Sequence, residues 1–425
     1  MNTALSQYMQ KSVGFFLVLI FTLQVAGFAQ VPGFFMKEDR RKVTLPFYAS
    51  NSLIIIPVSI NGNTPINFLL DTGVRSNILF SRVLGDALGL EYTRQLKLVG
   101  ADGSTDLTAS VSPINHFDLG PIEGVFQSLL VLDEEFFGLE SVIGIPIYGI
   151  IGHEFFKYNP IKIDYDNEKI DFYQQGRMKW KPLFYRKMDL SVEDSKPYIN
   201  AEVKQRDGSV LQAKLLVDTG ANHGLLLNRE TTDKITMPPL FIESELGQSL
   251  GGILYGYVGR VDYMELAGFR LKDVLTSYPE ETDFSYVIKE SGRQGSLGAE
   301  VLGRTKLILD YPRDRILVKK AENFYAPFQF DMSGMSLKKI PNDDNRVYIS
   351  EVRVGSPAAN SGVKAYDEIL EINNVPTFIW ELSEINRLMR SEPGKKITMK
   401  IRRYKDDNLE DYEDSVVTFS LRKQI

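Results

Sequence analysis

One short motif occurs twice in the chain, and each copy lies between two apolar runs. The copies are Asp71-Thr72-Gly73 and Asp218-Thr219-Gly220. The flanking apolar runs are residues 68–70, 78–80, 215–217 and 225–227. An aspartate at the end of a buried strand is costly unless its charge is paired or shared. We therefore expect the two aspartates to be partners of each other.

Other landmarks repeat at almost the same spacing as the two motifs, which start 147 residues apart (218 − 71). A Gly-Xaa-Xaa-Gly element begins at Gly149 and again at Gly295, which is 146 residues later (295 − 149). An Asp-Tyr pair at Asp164 recurs at Asp310, also 146 residues later (310 − 164). Before each Asp-Thr-Gly, an Xaa-Gly turn separates two strand-like segments, which is a hairpin signal. Self-similarity at one offset indicates a duplicated lobe.

An Asp-Thr-Gly on a strand, followed later in the lobe by an apolar-apolar-Gly element, resembles the retropepsin-like aspartic proteases. The resemblance covers roughly residues 45–320. It implies two pseudo-symmetric β-barrel lobes in one chain, with one catalytic aspartate from each lobe, Asp71 and Asp218. It also implies that two threonines cross-link the lobes beneath the aspartates, and that two glycines let the chain pass close to the carboxylates. These supporting residues are Thr72, Thr219, Gly73 and Gly220.

Two neighbouring carboxylates suit the hydrolysis of an amide. Because like charges this close cannot both ionise comfortably, the pair shares one proton. The charged member can draw a proton from water, and the protonated member can donate to the peptide carbonyl. We therefore predict an aspartic endopeptidase that acts on extended peptides or unfolded protein without a cofactor or metal. Three histidines and no cysteine also argue against a zinc site.

Two glycine-rich stretches predict hairpin tips that would fold over a substrate as flaps. The candidate flap residues are Gly100, Asp102, Gly103, Gly247 and Gly251. For the first stretch, a plain surface hairpin is the alternative. The second stretch contains Gly-Xaa-Ser-Xaa-Gly around Ser249, which is the nucleophile pattern of serine hydrolases. That pattern requires a helix after it, whereas the β-type run 253–258 follows here, so we predict a hairpin and no serine hydrolase.

Residues 326–425 differ in character from the repeats. The segments 355–358, 361–362 and 367–369 (Gly-Ser-Pro-Ala, Ser-Gly and Asp-Glu-Ile) resemble the PDZ domains of bacterial envelope proteases. The resemblance implies an α+β domain in which exposed backbone N–H groups of one loop hold the C-terminus of a peptide. The loop residues are Gly334, Met335, Ser336 and Leu337. Such a domain would recruit C-terminal peptides or gate access to the cleft.

The two Asp-Thr-Gly copies differ in the residues that follow them. Val74 and Arg75 stand where the second copy has Ala221 and Asn222. If Arg75 pointed at the aspartates, it would hold Asp71 ionised and impair proton sharing. This keeps open a second hypothesis, in which the chain is a non-catalytic or weakly catalytic envelope protein that binds peptides through its PDZ domain.

The first 29 residues are typical of a signal peptide. Lys11 precedes the apolar run 13–25, and Gly27-Phe28-Ala29 then fits a cleavage site with small residues at its first and last positions. We therefore expect a periplasmic or extracellular protein, with an N-terminal membrane anchor as the less favoured alternative.

Absence of cysteine excludes disulfides. The net charge of −6 argues against nucleic-acid binding.

The sequence thus predicts a mainly β protein in four parts. These are a signal peptide (1–29), lobe 1 (43–175), lobe 2 (197–320) and the PDZ domain (326–425). The basic and aromatic segment 174–196 is predicted to be a strap between the lobes, with its aromatic rings packed and its cations in water. The oligomeric state is not predicted.

Overall fold

The computed structural model describes residues 31–99, 106–136, 138–282, 285–341, 346–405 and 410–425. The predicted signal peptide (1–29) and the flap candidates Gly100, Asp102 and Gly103 lie outside these ranges. Within them, strands far outnumber helices, which confirms the mainly β prediction. None of the helices in these ranges is long and apolar enough to cross a membrane.

The strands and helices up to residue 173 belong mostly to lobe 1. The strands are β1 (Gly33–Met36), β2 (Lys42–Pro46), β3 (Tyr48–Ser50), β4 (Leu53–Ile60), β5 (Ile66–Leu70), β6 (Asn77–Leu79), β7 (Arg94–Val99), β8 (Asp106–Asp118), β9 (Ile122–Leu132), β10 (Gly149–Ile151), β11 (Ile161–Asp164) and β12 (Lys169–Tyr173). The helices are α1 (Arg82–Ala87) and α2 (Gly138–Ile143), with a 3-10 turn at His153–Phe155. Helix α1 begins after Ser81, whose Oγ accepts a hydrogen bond from the Leu84 N–H and so caps the helix.

The next elements, up to residue 320, belong mostly to lobe 2. The strands are β13 (Arg186–Asp189), β14 (Ser191–Glu193), β15 (Lys196–Lys204), β16 (Val210–Val217), β17 (Leu225–Leu227), β18 (Ile242–Gln248), β19 (Ile253–Arg260), β20 (Tyr263–Leu266), β21 (Phe269–Lys272), β22 (Leu275–Pro279), β23 (Gly295–Leu297), β24 (Thr305–Asp310) and β25 (Arg315–Lys320). The helices are α3 (Ser285–Glu290) and α4 (Ala299–Leu302), with 3-10 turns at Arg229–Thr231 and Tyr311–Arg313.

The C-terminal elements form the PDZ domain. They are β26 (Met335–Lys339), β27 (Val347–Val352), α5 (Pro357–Asn360), β28 (Glu368–Ile372), β29 (Val375–Pro376), a 3-10 turn (Thr377–Ile379), α6 (Leu382–Met389), β30 (Lys396–Tyr404) and β31 (Tyr412–Ser420). The sheet order is β26-β27-β28-β30-β31, so β26 is an edge strand. The domain has its own buried apolar cluster, which includes Ile349, Ile385 and Met399.

The two lobes repeat one pattern of strand pairing. In lobe 1, β5 is parallel to β10, β10 is antiparallel to β6, and β6 is parallel to β9. In lobe 2, β16 is parallel to β23, β23 is antiparallel to β17, and β17 is parallel to β22. Each Asp-Thr-Gly leaves the end of the central strand, β5 or β16. The register also repeats, since Gly149 pairs with Phe68 and Gly295 pairs with Leu215, both three residues before an aspartate.

The lobes differ in how their sheets close. In lobe 1, β8 pairs with both β4 and β9, so the sheet returns on itself. The pairings of lobe 2 among the described residues follow the open order β18-β19-β22-β17-β23-β16-β15-β20-β21. Closure of both lobes into barrels therefore stays a prediction. A third sheet, β13-β25-β24-β11-β12-β2, contains strands from both lobes.

The segment 174–196 only partly fits the predicted strap. Tyr185 is buried as expected, and β13 from this segment pairs with β25. Trp180 and Phe184, however, are 86% and 80% exposed, so the prediction that these two rings pack was wrong. The alternation of basic and aromatic residues indicated burial of the rings, but the chain around Trp180 lies on the surface instead.

Candidate active site

The two predicted catalytic aspartates lie side by side. Asp71 directly follows β5 and Asp218 directly follows β16. The backbone N–H of each donates to a carbonyl of the neighbouring strand, at Ile151 and Leu297, over 2.9 Å. The Asp71 and Asp218 carboxyl groups are hydrogen-bonded to each other. Asp71 is 8% exposed, whereas Asp218 is only half-buried. The structure thus brings together the two side chains that the repeat predicted to be partners.

The glycines of the two motifs donate hydrogen bonds to the carboxylates, and their lack of a side chain leaves room for the carboxylate of the other lobe. The Gly73 N–H donates to the Asp71 Oδ1 over 2.6 Å, and the Gly220 N–H donates to the Asp218 Oδ1 over 3.0 Å. A Cβ at Gly73 would lie 3.0 Å from the Asp218 Cγ, and a Cβ at Gly220 would overlap the Asp71 carboxyl group. Any side chain at Gly220 would therefore displace Asp71.

The two threonines cross-link the lobes reciprocally beneath the aspartates. The Thr72 hydroxyl donates to the Val217 carbonyl over 2.6 Å and accepts from the Thr219 N–H over 3.0 Å. The Thr219 hydroxyl donates to the Leu70 carbonyl over 2.9 Å and accepts from the Thr72 N–H over 3.1 Å. Both side chains are fully buried. Because buried backbone groups depend on these hydroxyls, the network fixes the position of one lobe relative to the other.

Burial and a like charge change the protonation of the pair. Burial raises the pKa of Asp71 well above its usual range, and repulsion from Asp218 raises it further. The Gly73 N–H and the Lys196 ammonium act in the opposite direction, since both stabilise the charged form. The pair therefore retains a proton to higher pH than an exposed aspartate would.

A cavity of about 370 Å³ opens above the aspartates. Its wall from lobe 1 is apolar and is formed by Leu53, Leu69, Val74, Leu139, Val142, Ile143 and Ile150. Its wall from lobe 2 combines apolar side chains with polar and charged groups, among them Lys196, Asn222, His223, Asn228, Arg293 and Ser296. We call this cavity the cleft. The part of the chain that the structure describes contains no cluster of three His, Asp or Glu side chains placed to hold a metal ion.

Val74 and Arg75, which follow the first Asp-Thr-Gly and differ from their counterparts in the second copy, do not disturb the aspartates. The Arg75 side chain is 68% exposed and pairs with Asp194 at 3.3 Å, so it points away from the aspartates. Val74 lines the apolar wall. In lobe 2, the His223 Nε2 lies 2.9 Å from the Ser296 Oγ, and burial lowers the pKa of His223. His223 is thus a neutral hydrogen-bonding group of the cleft wall.

The second flap candidate is a hairpin tip, as predicted. Residues 249–252 join β18 to β19, and Gly247 and Ser249 line the cleft. The Ser249 Oγ accepts from the Gly251 N–H and donates to the Gly252 carbonyl. A strand and no helix follows Ser249, so the nucleophile turn of a serine hydrolase is not formed.

Of the predicted PDZ peptide-binding residues 334–337, Gly334 directly precedes the edge strand β26 and the other three are the first residues of that strand. Met335 and Leu337 are buried in the domain core, and Ser336 bonds to Glu351. The Gly334 N–H already donates to the Asp331 carboxylate over 2.6 Å. An incoming C-terminal carboxylate would therefore compete with an internal one. The role of these residues in binding peptides stays a prediction.

Several contacts join the PDZ domain to both lobes. The Lys338 Nζ lies 2.8 Å from the Glu245 Oε1 of β18, and both side chains are almost completely buried. The Tyr48 hydroxyl donates to the Glu381 carboxylate over 2.6 Å. Strand β26 also packs against helix α2, whose Leu139, Val142 and Ile143 line the cleft. Helix α2 is therefore shared between the edge of the PDZ domain and the cleft wall.

The sequence interpretation missed Lys196 and Arg293. The repeat could have revealed them. Arg293 lies two residues before Gly295, and its equivalent Ile147, 146 residues earlier (293 − 147), lies two residues before Gly149. In lobe 1, Leu53 lies two residues before Ile55, which pairs with Leu69. In lobe 2, Lys196 lies two residues before Tyr198, which pairs with Leu216, the residue equivalent to Leu69. Comparison of equivalent positions would have shown that apolar residues of lobe 1 are replaced by cations in lobe 2.

Similarity to known proteins agrees with this architecture. The sequence profile of the family described as "Aspartyl protease" matches residues 56–155, which include Asp71. The profile described as "PDZ domain" matches residues 348–403. The chain therefore contains an aspartyl protease domain and a C-terminal PDZ domain, and this confirms the resemblance seen in the sequence.

More distant comparisons add little. None of the curated proteins searched matches the chain. The crystal structure of Basic 7S globulin from soybean is similar over 66% of this chain and 95% of that chain, with 10% identity and a TM-score of 0.38. A similarity of this size carries no argument about this chain.

Proposed function

We propose that this protein is an aspartic endopeptidase in which Asp71 and Asp218 activate a water molecule. The observation that carries the proposal is the pair of hydrogen-bonded carboxyl groups at the base of a cleft between two lobes. Paired carboxyl groups whose environments favour a shared proton are characteristic of acid–base catalysis. The outward position of Arg75, one of the two residues that kept the inactive scaffold open as a hypothesis, supports this proposal.

The two carboxyl groups have complementary roles in the proposed reaction. The more buried Asp71 holds the shared proton and donates it to the carbonyl oxygen of the substrate. The more exposed Asp218 takes a proton from the water, whose oxygen then attacks the carbonyl carbon. As the C–N bond breaks, the proton on Asp218 passes to the leaving amine, and a hydroxyl proton of the tetrahedral intermediate returns to Asp71. The threonine cross-links keep the two groups at a fixed separation, which supplies the orientation that the reaction needs.

The proposed substrate is an extended peptide or an unfolded protein. The cleft is bounded by two lobes and by the hairpin tip at 249–252, so a bound peptide would lie between the lobes and under that tip. A folded protein would have to unfold locally before its backbone reached the aspartates.

The PDZ domain would recruit a peptide or gate the cleft. A peptide that added a strand to the edge of β26 would meet α2 and the Lys338–Glu245 pair, and both connect to the walls of the cleft. Its C-terminus would also displace the Asp331 carboxylate from the Gly334 N–H. Occupation of the PDZ domain is thus expected to alter the rate of cleavage and not only the affinity for substrate.

We also propose that the protein is exported, on the basis of the signal-peptide pattern in residues 1–29. N-terminal sequencing of the protein purified from its cell envelope would then find a chain that begins after Ala29.

The catalytic proposal is tested by cleavage of an unfolded protein at mildly acidic pH. Asp71→Asn and Asp218→Asn should each lower kcat by at least roughly 10³-fold, because each removes one of the two proton-transfer groups. Asp189→Asn is the matched control, since Asp189 is 93% exposed and lies away from the cleft.

The result that overturns the proposal is a rate that either substitution leaves unchanged. A wild-type chain that cleaves nothing but binds C-terminal peptides tightly would favour the peptide-binding hypothesis instead. In the same assay, C-terminal peptides added to the whole chain test the PDZ role through a change in kcat.

A further inference from the structure

The lobe 2 wall of the cleft contains two cationic side chains, Lys196 and Arg293. Among the described residues, neither the Lys196 nor the Arg293 side chain forms a hydrogen bond or an ion pair with another side chain. The Arg293 Nε is shielded from solvent and has no hydrogen-bond partner. Both residues line the cleft that contains Asp71 and Asp218. Uncompensated charges at a partly desolvated position are costly, so their presence requires an explanation.

The acidic groups nearby do not account for both cations. Among the acids, Lys196 interacts most with Asp194 and then with the two aspartates of the pair, and Arg293 interacts most with Asp218 and then with Glu230. With its shared proton, the pair carries one negative charge, which balances one of the two cations.

The other acidic groups near the two cations are exposed or have partners of their own. Asp194 is exposed and pairs with Arg75, Glu230 accepts a hydrogen bond from Asn228, and Glu280 is exposed where it lines the cleft. Lys196 and Arg293 therefore share the single negative charge of the aspartate pair, and among the residues that the structure describes neither has an acidic partner of its own in the cleft wall.

We propose that Lys196 and Arg293 form a carboxylate-binding subsite of the cleft. The preferred substrates would then carry an acidic side chain, or a free C-terminal carboxylate, close to the scissile bond. A guanidinium group can hold a carboxylate through two parallel hydrogen bonds, and an ammonium group adds a point charge beside it. The inference rests on the proposed function and specifies the class of substrate that this same site accepts.

The equivalent positions in lobe 1 exclude a general structural need for these cations. The residue equivalent to Lys196 is Leu53, and the residue equivalent to Arg293 is Ile147. Both belong to one buried apolar cluster. The same strands thus fold with apolar residues at these positions, so the fold does not require the charges.

The test compares matched peptides that differ at one position. One series carries internal Glu with an amidated C-terminus, the second carries Gln at that position, and the third carries Gln with a free C-terminus near the scissile bond. The position is scanned on both sides of the scissile bond, which mass spectrometry locates. At the preferred position, kcat/KM of the wild-type protein should be roughly tenfold higher for a carboxylate-bearing peptide than for its neutral counterpart. The second and third series separate a side-chain carboxylate from a terminal one.

Variants assign the preference to the two residues. Lys196→Met and Arg293→Gln should each bring the Glu-to-Gln ratio of kcat/KM towards one, whereas Lys196→Arg and Arg293→Lys should preserve part of it. Lys187→Met is the matched control, because Lys187 is 52% exposed on β13 and should leave the ratio unchanged. Circular dichroism of each variant verifies that the chain is folded.

A role limited to tuning the aspartate pair gives a different result. In that case, the substitutions would shift the pH–rate profile equally for Glu and Gln peptides and leave their ratio unchanged, which would overturn the proposal. A wild-type ratio near one at every position, in both carboxylate series, would also overturn it. If no peptide is cleaved, the proposed function fails separately. The subsite is then decided by whether fluorescence anisotropy shows tighter binding of the carboxylate-bearing peptides.

Discussion

The floor and the walls of the cleft differ in how well they keep the two-fold repeat. On the floor, Thr72 and Thr219 make equivalent hydrogen bonds across the seam, and each Gly N–H donates to its own lobe's aspartate. On the walls, lobe 2 has Lys196 and Ser296 at the positions where lobe 1 has Leu53 and Ile150.

The difference follows from what each region contacts. Each threonine satisfies buried backbone groups of the other lobe, so a change in one copy leaves the other copy unpaired. The wall residues contact whatever enters the cleft, and that ligand has no two-fold symmetry. The duplicated lobes were therefore free to diverge in their walls while the floor stayed reciprocal.

The first prediction concerns the stability contributed by each wall. Leu53 is 4% exposed within an apolar cluster, so Leu53→Ala should lower the free energy of unfolding by about 3 kcal/mol. Lys196→Ala should change it by less than about 0.5 kcal/mol, because the ammonium group is not needed for packing. Urea denaturation of the whole chain measures both. Leu183→Ala is the control for loss of a leucine side chain, since Leu183 is 82% exposed and should have little effect. Equal losses for Leu53→Ala and Lys196→Ala would show that the cationic wall is structural.

The parts of the molecule that the sequence predicted are those governed by local rules or by the repeat. The paired motifs and the hairpin around Ser249 depend on residues close in sequence or on self-similarity. The exposure of Trp180 could not be predicted in this way, because composition does not state which face of a segment the rest of the chain covers. The same limit applies to Asp331, whose carboxylate reaches the Gly334 N–H through a turn that the PDZ resemblance did not specify.

The second prediction tests whether the floor is symmetric. Thr72→Val and Thr219→Val should each lower the free energy of unfolding by about 2 kcal/mol, because each leaves a buried N–H and a buried carbonyl unpaired. The losses should be equal within about 0.5 kcal/mol, and the double variant should lose less than their sum, since both break one network. Thr→Ser at each position is the control and should retain the hydroxyl bonds. Clearly unequal losses would extend the asymmetry of the walls to the floor.

The third and smallest effect concerns the asymmetry of burial within the aspartate pair. Burial is the largest cause that raises the pKa of Asp71 in the folded chain. At a pH between the pKa of Asp71 in the unfolded chain and its higher pKa in the folded chain, the native state therefore binds more protons than the unfolded state. The free energy of unfolding then falls as pH rises. Asp71→Asn removes this titration, so the variant should be more stable than the wild type at neutral pH. The difference should shrink as pH falls through the folded pKa and level off below about pH 4, where the aspartate is protonated in both states.

Thermal unfolding of the two asparagine variants between pH 4 and pH 7.5 separates burial from repulsion. Asp218→Asn removes the neighbouring charge but leaves Asp71 buried, so its stability should still fall with rising pH, although less steeply than that of the wild type. In Asp71→Asn, this contribution should be absent. If instead Asp218→Asn abolished the slope and Asp71→Asn retained it, the more exposed aspartate would be the one that holds the proton. The roles assigned to the two lobes would then be reversed, because the apolar wall would lie beside the base and the cationic wall beside the acid.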